Sequence, residues 1–175
     1  MNAHASAWIE RFGASVDAGG RVCDVACGRG RHTRWFSARG HPVVALDRDL
    51  AGVADLRGDS TVTLLECDLE VGDPLPVAPG SCAAVVVTNY LWRPIVDQLV
   101  GLLAPGGWLL YETFAIGNER FGRPTNPDYL LRPGELLDLA RGHELRVVAY
   151  EDVVVDEPRP ACVQRIAATR PAPTA

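Results

Sequence analysis

Asp24-Val25-Ala26-Cys27-Gly28-Arg29-Gly30-Arg31-His32-Thr33 is the stretch whose reading decides the fold. It follows a short apolar run, Arg21–Val25, and precedes Arg31–Arg39, a helical pattern stopped by Gly40. Gly28 and Gly30 let backbone approach a ligand closely, and the helix that opens behind them offers unpaired N–H groups. A strand running through a glycine turn into a helix predicts the first unit of a parallel α/β sheet.

The pattern then repeats. Pro42–Leu46 reads as a second strand, followed by a short helix at Leu50–Leu56, and Val62–Glu66 as a third strand. A Pro/Gly-rich loop, Gly72–Gly80, replaces any long crossover helix. Ala83–Thr88 has no polar alternation and so predicts a strand buried on both faces. Arg93–Leu103 reads as a helix with Pro94 in its first turn, where a missing N–H costs nothing. Ala104-Pro105-Gly106-Gly107 ends that helix, and Trp108–Phe114 is the fifth strand. Beyond it, Ala115–Arg132 has no periodicity, Pro133–Arg141 is a short helix, and Leu145–Val155 and Cys162–Ala168 are strands joined by Asp156–Pro160. The fold expected is a Rossmann-like, doubly wound, mainly parallel sheet of seven strands with an antiparallel C-terminal pair, in one domain spanning 1–175. Residues 1–18 form a helical N-terminal segment in this reading, and the tail from 169 to 175 frays.

Ligands in such sheets bind beyond the carboxyl ends of the strands, so function is sought there. The second strand ends in Asp47, nineteen residues after Gly28. A carboxylate at that distance suits a pair of ribose hydroxyls, because charge-assisted hydrogen bonds are the strong ones. Asp47 could alternatively cap a helix, but Asp49 stands better placed for that next to Leu50. A dinucleotide site would continue to a third glycine, and Thr33 occupies that position. Asp24 is unwelcome near a pyrophosphate and welcome near an ammonium or sulfonium.

With an acid at the end of the first strand and Gly28 and Gly30 after it, the stretch resembles motif I of class I S-adenosylmethionine-dependent methyltransferases. Ala26 stands where that pattern has its first glycine. The resemblance continues through Asp47, through Glu66-Cys67-Asp68-Leu69, through Val85–Leu91 and through Leu103–Leu110. It implies S-adenosylmethionine as cofactor, held by Asp24, Ala26, Cys27, Gly28, Gly30, Asp47, Asp68, Leu69 and Asn89. Asp47 takes the ribose, while Asp68 accepts from the adenine amino group unless it is simply a turn acid. Asn126–Leu136, with its Gly134-Glu135-Leu136, and Glu151-Asp152 are similar to the tellurite-resistance methyltransferases. Asn89-Tyr90-Leu91-Trp92 lacks the Asn-Pro-Pro-Tyr pattern of amino-methylating enzymes.

The acceptor is expected to be a small molecule. Candidates to face it are Tyr90, Glu112, Asn118 and Arg120, with Tyr90 equally readable as pocket wall and Arg120 as a solvated loop charge. Arg29, Arg31 and Arg34 either draw in an anionic substrate or form a solvent-facing helix flank. Thr113–Arg132 is read as a lid over this site or, alternatively, as a fixed loop anchored by Phe114, Phe121 and Tyr129.

A net charge of −5 argues against a duplex nucleic-acid partner. Met1–Ala18 has no basic region ahead of an apolar run, and no apolar stretch approaches ~20 residues, so a cytoplasmic protein without membrane spans is expected. Cys23, Cys27, Cys67, Cys82 and Cys162 contain no C-x-x-C, and His4, His32, His41 and His143 are scattered, so no metal site is expected. Two other classes stay open at this stage: an NAD(P)-binding oxidoreductase and a non-catalytic cofactor-binding regulator.

Overall fold

The computed structural model describes residues 4–172. Seven strands form one sheet in the order β3-β2-β1-β4-β5-β7-β6. The strands are β1 (Val22–Val25), β2 (Val43–Asp47), β3 (Val62–Glu66), β4 (Cys82–Thr88), β5 (Leu103–Phe114), β6 (Arg146–Val155) and β7 (Ala161–Thr169). The first five run parallel, while β7 inserts antiparallel between β5 and β6. Helices α1 (Ala7–Gly13), α2 (Arg31–Ser37), α3 (Val96–Gly101) and α4 (Glu135–Gly142) flank the sheet, and Ala51–Leu56 forms a 3-10 segment after β2. No helix among the described residues is long and apolar enough to cross a membrane.

Alternation along the central strands sorts the core onto two faces. Val22, Ala84, Val86 and Leu110 meet Ile9 and Phe12 of α1 and Phe36 of α2. Cys23, Val25, Val85, Val87 and Leu109 point the other way, into a larger cluster with Leu99 of α3 and Leu136 of α4. Every residue of β1 is buried, so its carboxyl end can open only where the chain leaves the sheet at Ala26.

The turn expected at Ala104–Gly107 is instead a bulge inside β5. Cys82 pairs with Leu103 and Ala84 with Trp108, so extra residues loop out between two adjacent pairings. Gly107 makes this possible, because a Cβ there would lie 2.8 Å from the Cys82 carbonyl oxygen. The bulge also holds Arg170, whose N–H donates to the Gly107 carbonyl while Gly106 N–H donates to Arg170 O. The chain just past Thr169 is therefore pinned rather than frayed, and 173–175 lie outside the described residues, as do 1–3 of the N-terminal segment.

Candidate active site

Three left-handed residues, at alternate positions, turn the chain from β1 into α2: Ala26 at φ 52°, Gly28 at 57° and Gly30 at 69°. At Ala26 the missing glycine costs on the order of 1 kcal/mol, since an L-side chain resists this region. Gly30 has no substitute, because a Cβ would meet Val53 at 2.4 Å. As the N-cap of α2 it also offers no side chain to the free N–H groups of the first turn.

Asp24 serves that turn from the sheet. Its Oδ2 accepts from the Thr33 N–H at 2.9 Å and from Thr33 Oγ1 at 2.6 Å, with Asp24 1% and Thr33 0% exposed. Burial pushes the Asp24 carboxyl up to about 6, while the two Thr33 bonds hold it lower than burial alone would. Asp24 therefore sits beneath the glycine turn and lines none of the cavities at the strand ends. Cys27 is buried in the turn, its thiol pushed up to about 12 by burial and by Asp24 and Asp47 nearby. It is packing, not a nucleophile.

Asp47 stands where β2 ends, directly across from the turn. Its Oδ2 accepts from Gly28 N–H at 2.7 Å and its Oδ1 from Asp49 N–H at 3.1 Å. Two backbone bonds leave a carboxylate with lone pairs to spare, and these adjoin a cavity of about 250 Å³ lined by Ala26, Asp47, Asp68, Leu69 and Tyr90. Asp49 accepts from Ala51 N–H at 2.8 Å, capping the 3-10 segment. Asp68 takes both positions read from the sequence: it lines the cavity and, through a 2.9 Å bond from Glu70 N–H, closes its own turn. The Tyr90 hydroxyl is buried without a partner among the described residues. Burial and the Glu70 and Asp68 carboxylates push it well above the usual phenol range, so it is a donor in waiting rather than a base.

A second cavity, about 310 Å³, lies beyond the ends of β4 and β5 and is floored by Asn89, Glu112 and Phe114. Asn89 takes φ 54°, a conformation asparagine tolerates. Glu112 is engaged by Arg165 at 3.3 Å, and Arg165 also bonds Glu151 at 2.7 Å and lies over the Trp8 ring. The walls come from two places that the sequence did not point to. One is Ala5-Ser6-Ala7, and the other is the β6–β7 turn with Glu157, Pro158 and Arg159. His32 holds the first in place: its Nε2 accepts from Ser6 N–H at 3.2 Å, so Nδ1 carries the hydrogen and donates to Thr88 Oγ1 at 3.3 Å. Burial lowers its pKa to about 3, which keeps the ring neutral. The spacing of Trp8, Ile9 and Phe12 on one face of α1, just behind this wall, is the signal that could have located it.

Asn118 and Arg120 do not reach either cavity. Asn118 is 2% exposed and donates to the Pro124 carbonyl, tying the loop to itself. Arg120 bonds the Gly117 carbonyl and approaches Cys162 Sγ. The segment after β5 is a fastened loop rather than a lid. Ile116 N–H donates to Leu131 O and Leu131 N–H to Phe114 O, both at 2.9 Å, and Leu130 and Leu131 are buried. Arg93 clamps it from outside, bonding the carbonyls of Asp128 and Leu130 and both oxygens of Glu135. Phe121 and Tyr129, the expected anchors, are each 40% exposed. The Gly134-Glu135-Leu136 opening of α4 thus has a structural duty in this chain.

An open-sheet fold of this strand order, with a glycine turn opposite a carboxylate at the end of β2, defines a class of enzymes. Residues 22–107, just under half of the chain, match the family model described as a methyltransferase domain, and the sheet has the Rossmann-like methyltransferase fold. It is similar to a SAM-dependent methyltransferase from Aquifex aeolicus, with a TM-score of 0.68 and 16% identity over 92% of this chain and 86% of that one. TehB from Haemophilus influenzae gives a TM-score of 0.73 at 16% identity, over 90% of this chain and 60% of TehB. The 1,6-didemethyltoxoflavin-N1-methyltransferase of Burkholderia thailandensis, solved with 1,6-didemethyltoxoflavin and S-adenosylhomocysteine bound, gives 0.72 at 18% identity, over 94% and 76%. No curated protein sequence matches the chain significantly. The dinucleotide alternative fails at Thr33, whose side chain is committed to Asp24. Among the described residues, no three His, Cys, Asp or Glu side chains are grouped to hold a metal ion.

Proposed function

We propose that the chain works as a single domain that methylates a small-molecule acceptor, with the cofactor in the 250 Å³ cavity and the acceptor in the 310 Å³ one. The observation that carries this reading is the pairing of Asp47, whose carboxylate has capacity left, with the partnerless Tyr90 hydroxyl in the same cavity. A buried orphan hydroxyl costs about 1–3 kcal/mol, and a polar ligand beside it relieves that cost. When bound, S-adenosylmethionine supplies a methyl group already activated on a sulfonium.

Asp47 would accept the ribose hydroxyls, Asp68 and Leu69 would flank the adenine, and Gly28 and Asn89 would give backbone approach. Asp24 acts at one remove, by holding α2 and the glycine turn. Neither of the two candidate bases read from the sequence is free: Tyr90 is a very weak acid here, and Glu112 is engaged by Arg165, which leaves Glu157 at the rim as the unpaired carboxylate of this cavity. The chain's own work is then alignment and the exclusion of water, which suits an acceptor atom that is nucleophilic without help. The neighbour from Burkholderia, solved with 1,6-didemethyltoxoflavin bound, supports a small-molecule acceptor. The net charge of −5 supports a partner other than nucleic acid, and the free, mostly buried thiols support a reducing, cytoplasmic setting.

Titration calorimetry with S-adenosylhomocysteine and NAD tests the cofactor, with the first binding once per chain and the second not at all. Methyl transfer from labelled donor to a panel of small thiols, phenols and heteroaromatic amines tests the acceptor class. Transfer confined to proteins or nucleic acids in an extract would refute it.

A further inference from the structure

We propose that the acceptor carries an acid group on a small apolar body, and that Arg159 and Arg31 hold that group. This rests on reading the 310 Å³ cavity as the acceptor site. Although the chain carries a net charge of −5, three arginines line this one cavity. Arg165 is answered by Glu112 and Glu151 and brings no unmatched charge. Arg31, at the head of α2, and Arg159, on the β6–β7 turn, make no ion pair among the described residues. Glu157 at the same rim is likewise unpaired, so the lining itself sets three arginines against two carboxylates, while Glu151, the second partner of Arg165, lies outside it.

Arg159 is oriented without being used up. One NH2 donates to the Arg123 carbonyl at 3.2 Å and the guanidinium lies over the Phe114 ring at 5.8 Å, so its other N–H groups stay available. A guanidinium presents its donors as a planar fork that matches a carboxylate. Phe114, Pro158 and Val163 supply an apolar wall beside that fork, which selects a flat organic anion over a bare oxyanion.

Benzoate and benzamide share a ring and a size but differ in charge, and both are titrated into protein saturated with S-adenosylhomocysteine. The readout is the ¹⁵N-edited Nε–H resonances of Arg159 and Arg31. Benzoate should move both signals and bind at least tenfold tighter than benzamide. Arg159→Gln should weaken benzoate at least fivefold while leaving S-adenosylhomocysteine affinity within threefold, and Arg159→Lys should recover part of the loss. Equal affinity for the two probes, or benzoate binding that leaves both arginine signals unmoved, overturns the proposal. Inorganic phosphate binding as tightly as benzoate overturns the apolar body. If Arg31→Gln weakens S-adenosylhomocysteine rather than benzoate, Arg31 serves the methyl donor and the pair is refuted. Failure of S-adenosylhomocysteine itself to bind is seen before any probe is added, and it removes the cofactor reading first.

Discussion

Replacing Thr33 by Val keeps the shape of a fully buried side chain and deletes one hydroxyl, the 2.6 Å donor to Asp24. Burial raises the Asp24 carboxyl from 3.8 to about 6. At about 1.4 kcal/mol per pH unit, the ionised carboxylate costs the folded state about 3 kcal/mol. That cost is complete above pH 6 and is relieved as pH falls from 6 toward 4, so this group makes the protein more stable on mild acidification. The hydroxyl bond to the ionised form is worth about 1.5–3 kcal/mol and to the neutral form about 1 kcal/mol. Thr33→Val should therefore cost about 2 kcal/mol at pH 8, or about 4–8 °C in Tm for a chain of this size. At pH 5 it should cost about 1 kcal/mol. Urea unfolding at both pH values, on wild type, Thr33→Val, Asp24→Asn and the double variant, measures each contribution. In the Asp24→Asn background the valine should cost the same small amount at either pH. An equal loss at pH 5 and pH 8, unchanged by Asp24→Asn, would refute the reasoning.

Asp47→Ala should lower S-adenosylhomocysteine affinity roughly ten- to a hundredfold in calorimetry. Asp49→Ala loses only the cap on Ala51 and should cost about 1 kcal/mol of stability with affinity within a few-fold; the reverse pattern would exchange their roles. The amides of Ile116 and Leu131 should be protected from hydrogen exchange without cofactor and change little when it is added, whereas a mobile lid would gain protection only on binding.

What the sequence made legible is what is local or periodic. Buried strands such as Ala84–Val87 declare themselves by an unbroken apolar run, and their order then puts Asp47 and Gly28 at adjacent strand ends. Asp47 therefore needed no tertiary information to be singled out. The walls of the second cavity did, because Ser6 and Arg159 are brought together from opposite ends of the chain and no spacing rule connects them. Asn118 misled for a related reason. A polar residue in a glycine- and proline-rich loop looks available until its amide is seen satisfying the Pro124 carbonyl within the same loop. At Ala104–Gly107 the composition was read correctly as a breaker, but a breaker next to a sheet can bulge a strand as well as end a helix.

The bond between Asp24 and Thr33 also fixes an order of events for any descendant of this chain. A lineage drifting toward dinucleotide binding would need glycine at position 33, and that single change strips a charged carboxylate of a donor in the dry interior while loosening α2. Neutralising position 24 first removes the charge that the threonine exists to serve, and the glycine then becomes tolerable. Of the two mutational orders, selection for a folded protein leaves one open. Cofactor choice here is thus guarded by epistasis inside the core, out of reach of the ligand itself.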